Sequence, residues 1–111
     1  MTDLEITRLC AEAMGCTVPE LKWEFGGYVR CRLPDGGWFN ANPLHDDAQA
    51  MALVFWLAQQ GVLSFGTRHL LFDYSDLGRC WIDYDGTKNG PNRAICECVA
   101  KMQKAKQKER A

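Results

Sequence analysis

The sequence predicts an α+β fold: three helices covering a mostly antiparallel sheet of two hairpins, in the order α-β-β-α-β-β-α, as a layered sandwich. Three observations predict it. Pro34-Asp35-Gly36-Gly37 joins two short runs of strand character, the arrangement a hairpin needs. Ser75-Asp76-Leu77-Gly78 stands between a second such pair. Apolar residues recur at helical spacing near both ends of the chain and between the hairpins, so helices must cover the sheet. At 111 residues the chain is long enough for one core and too short for two, which makes 1–111 a single domain.

The first helix spans about 3–14. Thr2 and Glu5 form a capping-box pair, Ile6, Leu9, Cys10 and Ala13 share a face, and Gly15 suits the position just past the end. Residues 16–26 form a connector containing Pro19, within which Leu21-Lys22-Trp23-Glu24-Phe25 also reads as a short strand. From Tyr28 to Leu33 the pattern alternates, with Val29, Cys31 and Leu33 inward and Tyr28, Arg30 and Arg32 outward. Trp38-Phe39-Asn40 begins the returning strand. The second helix runs from about Asp47 to Gln60 and stops at Gly61, with Asp46 and Asp47 placed to cap it. Its inward stripe is expected to be Met51, Val54, Phe55 and Ala58, but Leu53, Leu57 and Trp56 make it apolar nearly all round. Such a helix is central or covered by a partner. The second hairpin takes 68–74 and 78–84, with Cys80, Ile82 and Tyr84 alternating against Arg79, Trp81 and Asp83. A third helix starts near Pro91, buries Ile95, Cys98, Val99 and Met102, and loses its apolar stripe over 103–111, where the end is free to fray.

Three of these features together resemble the phage ABA sandwich domain proteins, small products of phage and prophage genomes. They are the opening Leu4-Glu5-Ile6 to Gly15 helix, the Asn42-Pro43-Leu44-His45-Asp46-Asp47 turn leading into its apolar helix, and the late Arg93-Ala94-Ile95-Cys96 helix. The connector at 16–26 and the lysine-rich end have no matching counterpart. The resemblance implies alternating helix and sheet layers and brings no catalytic residues with it. It implies a small accessory protein of phage infection or of a prophage, an inhibitor of a host antiphage defence component. The target it suggests is a host defence protein or a small nucleotide messenger.

Composition bounds the remaining readings. An apolar share of 47% against 24% charged is that of an ordinary globule, not of a disordered chain. A net charge of -1 conceals an asymmetry: over 99–111, Lys101, Lys104, Lys106, Lys108 and Arg110 face Glu109 alone, a local +4 that leaves -5 on the rest. Weak, salt-sensitive nucleic-acid binding through Lys101–Arg110 is the alternative function this suggests; a solubilising helix end is the plainer account. Six cysteines, at 10, 16, 31, 80, 96 and 98, would suit a disulfide framework in a secreted chain. The acidic, helix-patterned N-terminus reads as no signal peptide, so buried reduced thiols in the host-cell cytoplasm are expected. Cys96-Glu97-Cys98 lacks zinc-ligand spacing. No apolar stretch approaches the roughly 20 residues that cross a bilayer.

Two candidate sites follow. Lys88, Asn89, Gly90, Asn92 and Arg93 surround a helix N-terminus, where free N–H groups and two cations suit a phosphate; the alternative is a solvated, Pro-started helix. Arg30, Arg32, Trp38, Arg79 and Trp81, with Tyr28 and Phe39 nearby, form an arginine–aromatic set for a partner if no helix layer buries it. Asp46 and Asp47 read as a cap, His45 beside them does not complete a metal site, and His69 is given no role. No nucleophile–base pair or cofactor fingerprint is legible, so the expectation is a binding protein without catalysis, cofactor or metal, and one that self-associates through its apolar second helix.

Overall fold

A computed structural model describes residues 1–66, 68–74, 78–84 and 90–110. The order is α1 (Asp3–Ala13), β1 (Val29–Arg32), β2 (Trp38–Ala41), α2 (Asp47–Gln60), β3 (Val62–Phe65), β4 (His69–Tyr74), β5 (Gly78–Asp83) and α3 (Gly90–Arg110). The α+β class is as expected, with two differences. A strand, β3, follows α2 directly, and the strands form two antiparallel sheets, β1-β2 and β3-β4-β5, instead of one.

Local chemistry sets the ends of each helix. Thr2 Oγ1 accepts from the Glu5 N–H at 3.1 Å, while the Glu5 carboxylate reaches Arg8 and Lys104. At the other end the Cys16 N–H donates to the Ala11 carbonyl and the Gly15 N–H to that of Glu12, each at 3.0 Å. This paired closure requires Gly15 at φ +88°, a conformation costly for a residue with a Cβ. Asp46 caps α2 by accepting from the Gln49 N–H at 3.0 Å. Asp46→Ala is expected to lower stability by about 1 kcal/mol in urea unfolding, with Asp46→Asn close to wild type.

Most of the core lies where α3 meets everything else. α3 packs against α1 and α2 on one side and against β4 and β5 on the other. Ile95, Cys98, Val99 and Met102 are buried as expected, joined by Ala94, Cys96 and Ala100. The three-stranded sheet contributes Leu70 and Phe72 from β4, opposite Ile82 and Cys80 of β5. A smaller cluster, Ala11, Cys16, Cys31 and Ala41, seats the β1-β2 hairpin on the flank of α1.

The inward stripe of α2 is not the expected one. Ala50, Leu53 and Leu57 are buried, whereas Met51 and Phe55 are exposed, Phe55 by 66%, and Ala58 is exposed as well. Both stripes have helical spacing; the packing of α3 and the sheet selects one, and periodicity alone does not. Trp56 packs against the core edge with the Lys106 ammonium over its ring, 5.1 Å from the centroid.

Among the described residues, 21–25 form no strand; Glu24 makes an isolated bridge to Tyr28, just before β1, and Leu21, Trp23 and Phe25 are exposed. α3 continues through Arg110, and beyond Met102 its contacts are polar: Lys106 donates to Gln60 and Gln107 to Glu12. Among the described residues no helix is long and apolar enough to cross a membrane.

Candidate functional site

The β1-β2 hairpin builds the most distinctive surface. Leu33 N–H donates to the Gly37 carbonyl at 2.8 Å and Asp35 Oδ1 accepts from the Gly37 N–H, which closes the turn around Gly36 at φ +94°. That closure sets Arg32 opposite Trp38 and Arg30 opposite Asn40. Because side chains alternate, Arg30, Arg32 and Trp38 share the outer face while Val29 and Cys31 go inward. Both guanidinium groups stack on the Trp38 indole, at 4.1 and 4.2 Å from its centroid. Trp38 is nevertheless 47% exposed, so no helix layer covers this face.

Charge pairing separates these two arginines from others. Arg8, Arg79 and Arg93 each reach a carboxylate. Among the described residues Arg30 and Arg32 reach none, and the aromatic ring alone orders them. Each such contact is worth about 0.5–1 kcal/mol at an exposed site.

Arg79 and Trp81 lie elsewhere, on the outer face of the three-stranded sheet, so the expected arginine–aromatic set is divided between two surfaces. Arg79 pairs with Asp73 at 3.3 Å, and Trp81 Nε1 donates to Asp83. Trp81 also stacks on His69, with centroids 4.3 Å apart and planes 10° from parallel, which gives that histidine a packing role. The Gly66 backbone lies so close to the His69 ring that a Cβ at Gly66 would collide with it.

At the start of α3, Lys88 and Asn89 lie outside the described residues; Gly90, Asn92 and Arg93 line or adjoin a cavity of about 210 Å³. Arg93 is not a free cation there. It bonds Asp3 at 2.7 Å and Glu97 at 3.0 Å, and the Asp3 bond holds its pKa above the usual arginine range. Asn92 donates to Asp47 at 2.8 Å. Among the described residues three carboxylates, Asp3, Asp83 and Glu97, line the cavity against one guanidinium, a balance that opposes a bound phosphate. His45 on its rim bonds Asn42. Among the described residues no three His, Cys, Asp or Glu side chains converge as metal ligands.

Sequence reasoning missed an apolar cleft of about 390 Å³ between the inner edge of the hairpin, α1 and α2. Phe39, Ala41, Pro43, Ala48, Ala52 and Leu53 line it. Phe39 is the visible signal: it sits on the inward face yet is 37% exposed, because the small alanines opposite leave space beside it. Comparison of the chain with protein-family models, with curated proteins and with solved structures finds no match.

Proposed function

We propose that this protein is a non-enzymatic binding protein that docks on a partner protein through the outer face of the β1-β2 hairpin. The observation that carries this reading is the Arg30–Trp38–Arg32 stack: two arginines without a carboxylate partner among the described residues, ordered on a half-exposed indole. An interface anchor of this composition supplies apolar area and fixed hydrogen-bond donors together. Arg30 and Arg32 give this face two positive charges beside an indole, so the partner surface that fits is acidic and rimmed by apolar groups. The resemblance to phage ABA sandwich proteins supplies the setting: a phage or prophage product acting in the host cell on a component of antiphage defence.

A protein target is favoured over a nucleotide messenger because the carboxylates around Arg93 oppose an anion. Calorimetric titration with cyclic and linear nucleotides is expected to give no heat; saturable heat would restore the messenger. For the protein target, immobilised wild type and an Arg30→Glu/Arg32→Glu variant are exposed to bacterial lysate. Proteins held by the first and lost from the second are expected. Identical retention on both rejects the hairpin face.

The same stack suits nucleobases, which keeps nucleic acid as a second reading. In that case binding weakens steeply with salt and disappears when residues 101–111 are removed. Affinity that survives the deletion rules out the tail.

Self-association is part of the proposal. Met51 and Phe55 are one turn apart on the uncovered face of α2, and β3 is a sheet edge without a charged residue, its Val62 exposed. Sedimentation equilibrium is expected to give twice the chain mass, and Phe55→Glu the mass of one chain.

A further inference from the structure

β3 is an edge of the three-stranded sheet, and its hydrogen-bond phase shows which of its backbone groups β4 does not use. Antiparallel partners alternate between pairs that exchange hydrogen bonds and pairs that do not. The Gly66 N–H donates to the His69 carbonyl at 2.8 Å, and the register then runs Phe65 with Leu70, Ser64 with Leu71, Leu63 with Phe72 and Val62 with Asp73. Gly66, Ser64 and Val62 therefore turn their backbone groups toward β4. Leu63 and Phe65 turn theirs the other way, and among the described residues no further strand meets them. The outward N–H and carbonyl groups are thus arranged evenly about Ser64.

This edge also lacks the usual guards against pairing. From Gly61 to Gly66 there is no charged residue and no proline. Residues directly opposite share a face, so Phe65 lies on the helix side with the buried Leu70. Phe65 is nevertheless 48% exposed, because the sheet ends beside it.

We infer that β3 pairs antiparallel with β3 of a second copy about a twofold axis through Ser64, so that the two three-stranded sheets become one continuous sheet. The inference rests on the self-association proposed above and gives it a register. Leu63 of each copy opposes Phe65 of the other, and both pairs exchange hydrogen bonds, which satisfies every outward group at once. On the helix side Leu63 of one copy then covers the exposed Phe65 ring of the other. On the outer side Ser64 meets Ser64 in a pair without hydrogen bonds, where Cα atoms approach to about 4.5 Å and a small side chain fits. Centring the pair on Leu63 would instead set Phe65 against Gly61, whose N–H is already given to the Leu57 carbonyl at 3.1 Å. A second copy fits better than an unrelated strand because one stretch supplies the outward amides, the small residue at the axis and the apolar cover.

Ser64→Lys and Ser64→Glu test this, since residue 64 meets itself only when the axis passes through it, and Ser64 is exposed within one chain. In sedimentation equilibrium each variant alone is expected to shift toward the mass of one chain, and an equimolar mixture to return to twice that mass. The mixed pair should bind on the order of ten-fold more tightly than either variant binds itself, since like charges directly opposite repel and unlike charges attract. Amide exchange of wild type, read residue by residue by NMR, is the second measurement. Val62 and Ser64 are expected to be protected in dilute and concentrated samples alike, and Leu63 and Phe65 to lose their fast exchange only on association. Wild type that runs as one chain at every concentration overturns this inference together with self-association. Wild type that pairs, while both variants pair equally well or the mixture stays dissociated, overturns the inference alone and leaves α2 as the contact. Where a variant fails to fold, wild type decides: fast exchange at Leu63 and Phe65 in a fully paired sample rules out the β3 contact.

Discussion

Leu57→Ala is expected to lower the free energy of unfolding by about 2–5 kcal/mol, and Phe55→Ala to change it by no more than about 0.5 kcal/mol. The two residues are two positions apart on α2, both large and apolar, and by composition alone their substitutions should cost alike. Leu57 is fully buried in the main core cluster, so truncation leaves a cavity the packed surroundings cannot close. Phe55 is 66% exposed and loses little burial within one chain. A domain of this size has about 5–15 kcal/mol in hand, so Leu57→Ala brings it near the unfolding threshold. Urea titrations below the self-association concentration check this. Equal losses at both positions would mean that α2 is turned differently on the core.

Trp38→Ala is expected to weaken the captured protein complex on the order of 30-fold or more, the loss that defines an interface hot spot. Truncation removes the central apolar area and releases Arg30 and Arg32 from their common support. Both guanidinium groups would then regain side-chain freedom that binding must remove again. The variant is expected to keep wild-type circular dichroism and to melt within a few degrees of wild type, since the indole is half-exposed already. Trp38→Phe should recover part of the affinity. Isothermal titration with the purified partner measures both, and unchanged affinity for Trp38→Ala moves the interface off this hairpin.

What the sequence revealed depended on whether the information was local. Thr2, Gly15, Asp46 and Gly61 marked helix ends through chemistry within a few residues, and the structure places α1 and α2 accordingly. The Pro-Asp-Gly-Gly turn was equally legible, whereas the register that sets Arg32 opposite Trp38 came only with the structure. β3 escaped because Val62-Leu63-Ser64-Phe65 is short, follows Gly61 without a turn, and shows little alternation. The face of α2 escaped because two apolar stripes compete on one helix. The division of arginines and aromatics between two surfaces required knowing that the hairpins do not join one sheet. Which arginines lack a carboxylate among the described residues is a fact of tertiary approach that no local pattern carries.

Among the described residues the hairpin that presents Trp38 is a sheet of two strands, extended only by a bridge from Arg32 to Thr17, and it rests on the small cluster of Ala11, Cys16, Cys31 and Ala41, apart from the main core. An isolated pair of strands is marginal by itself, and regions with little apolar support open at lower free energy than the whole molecule. Amide hydrogens of β1 and β2 should therefore exchange with deuterium sooner than those of β4, without global unfolding. A recognition surface on such an element can adjust its twist to the surface it meets, while the enclosed helices and larger sheet keep their arrangement.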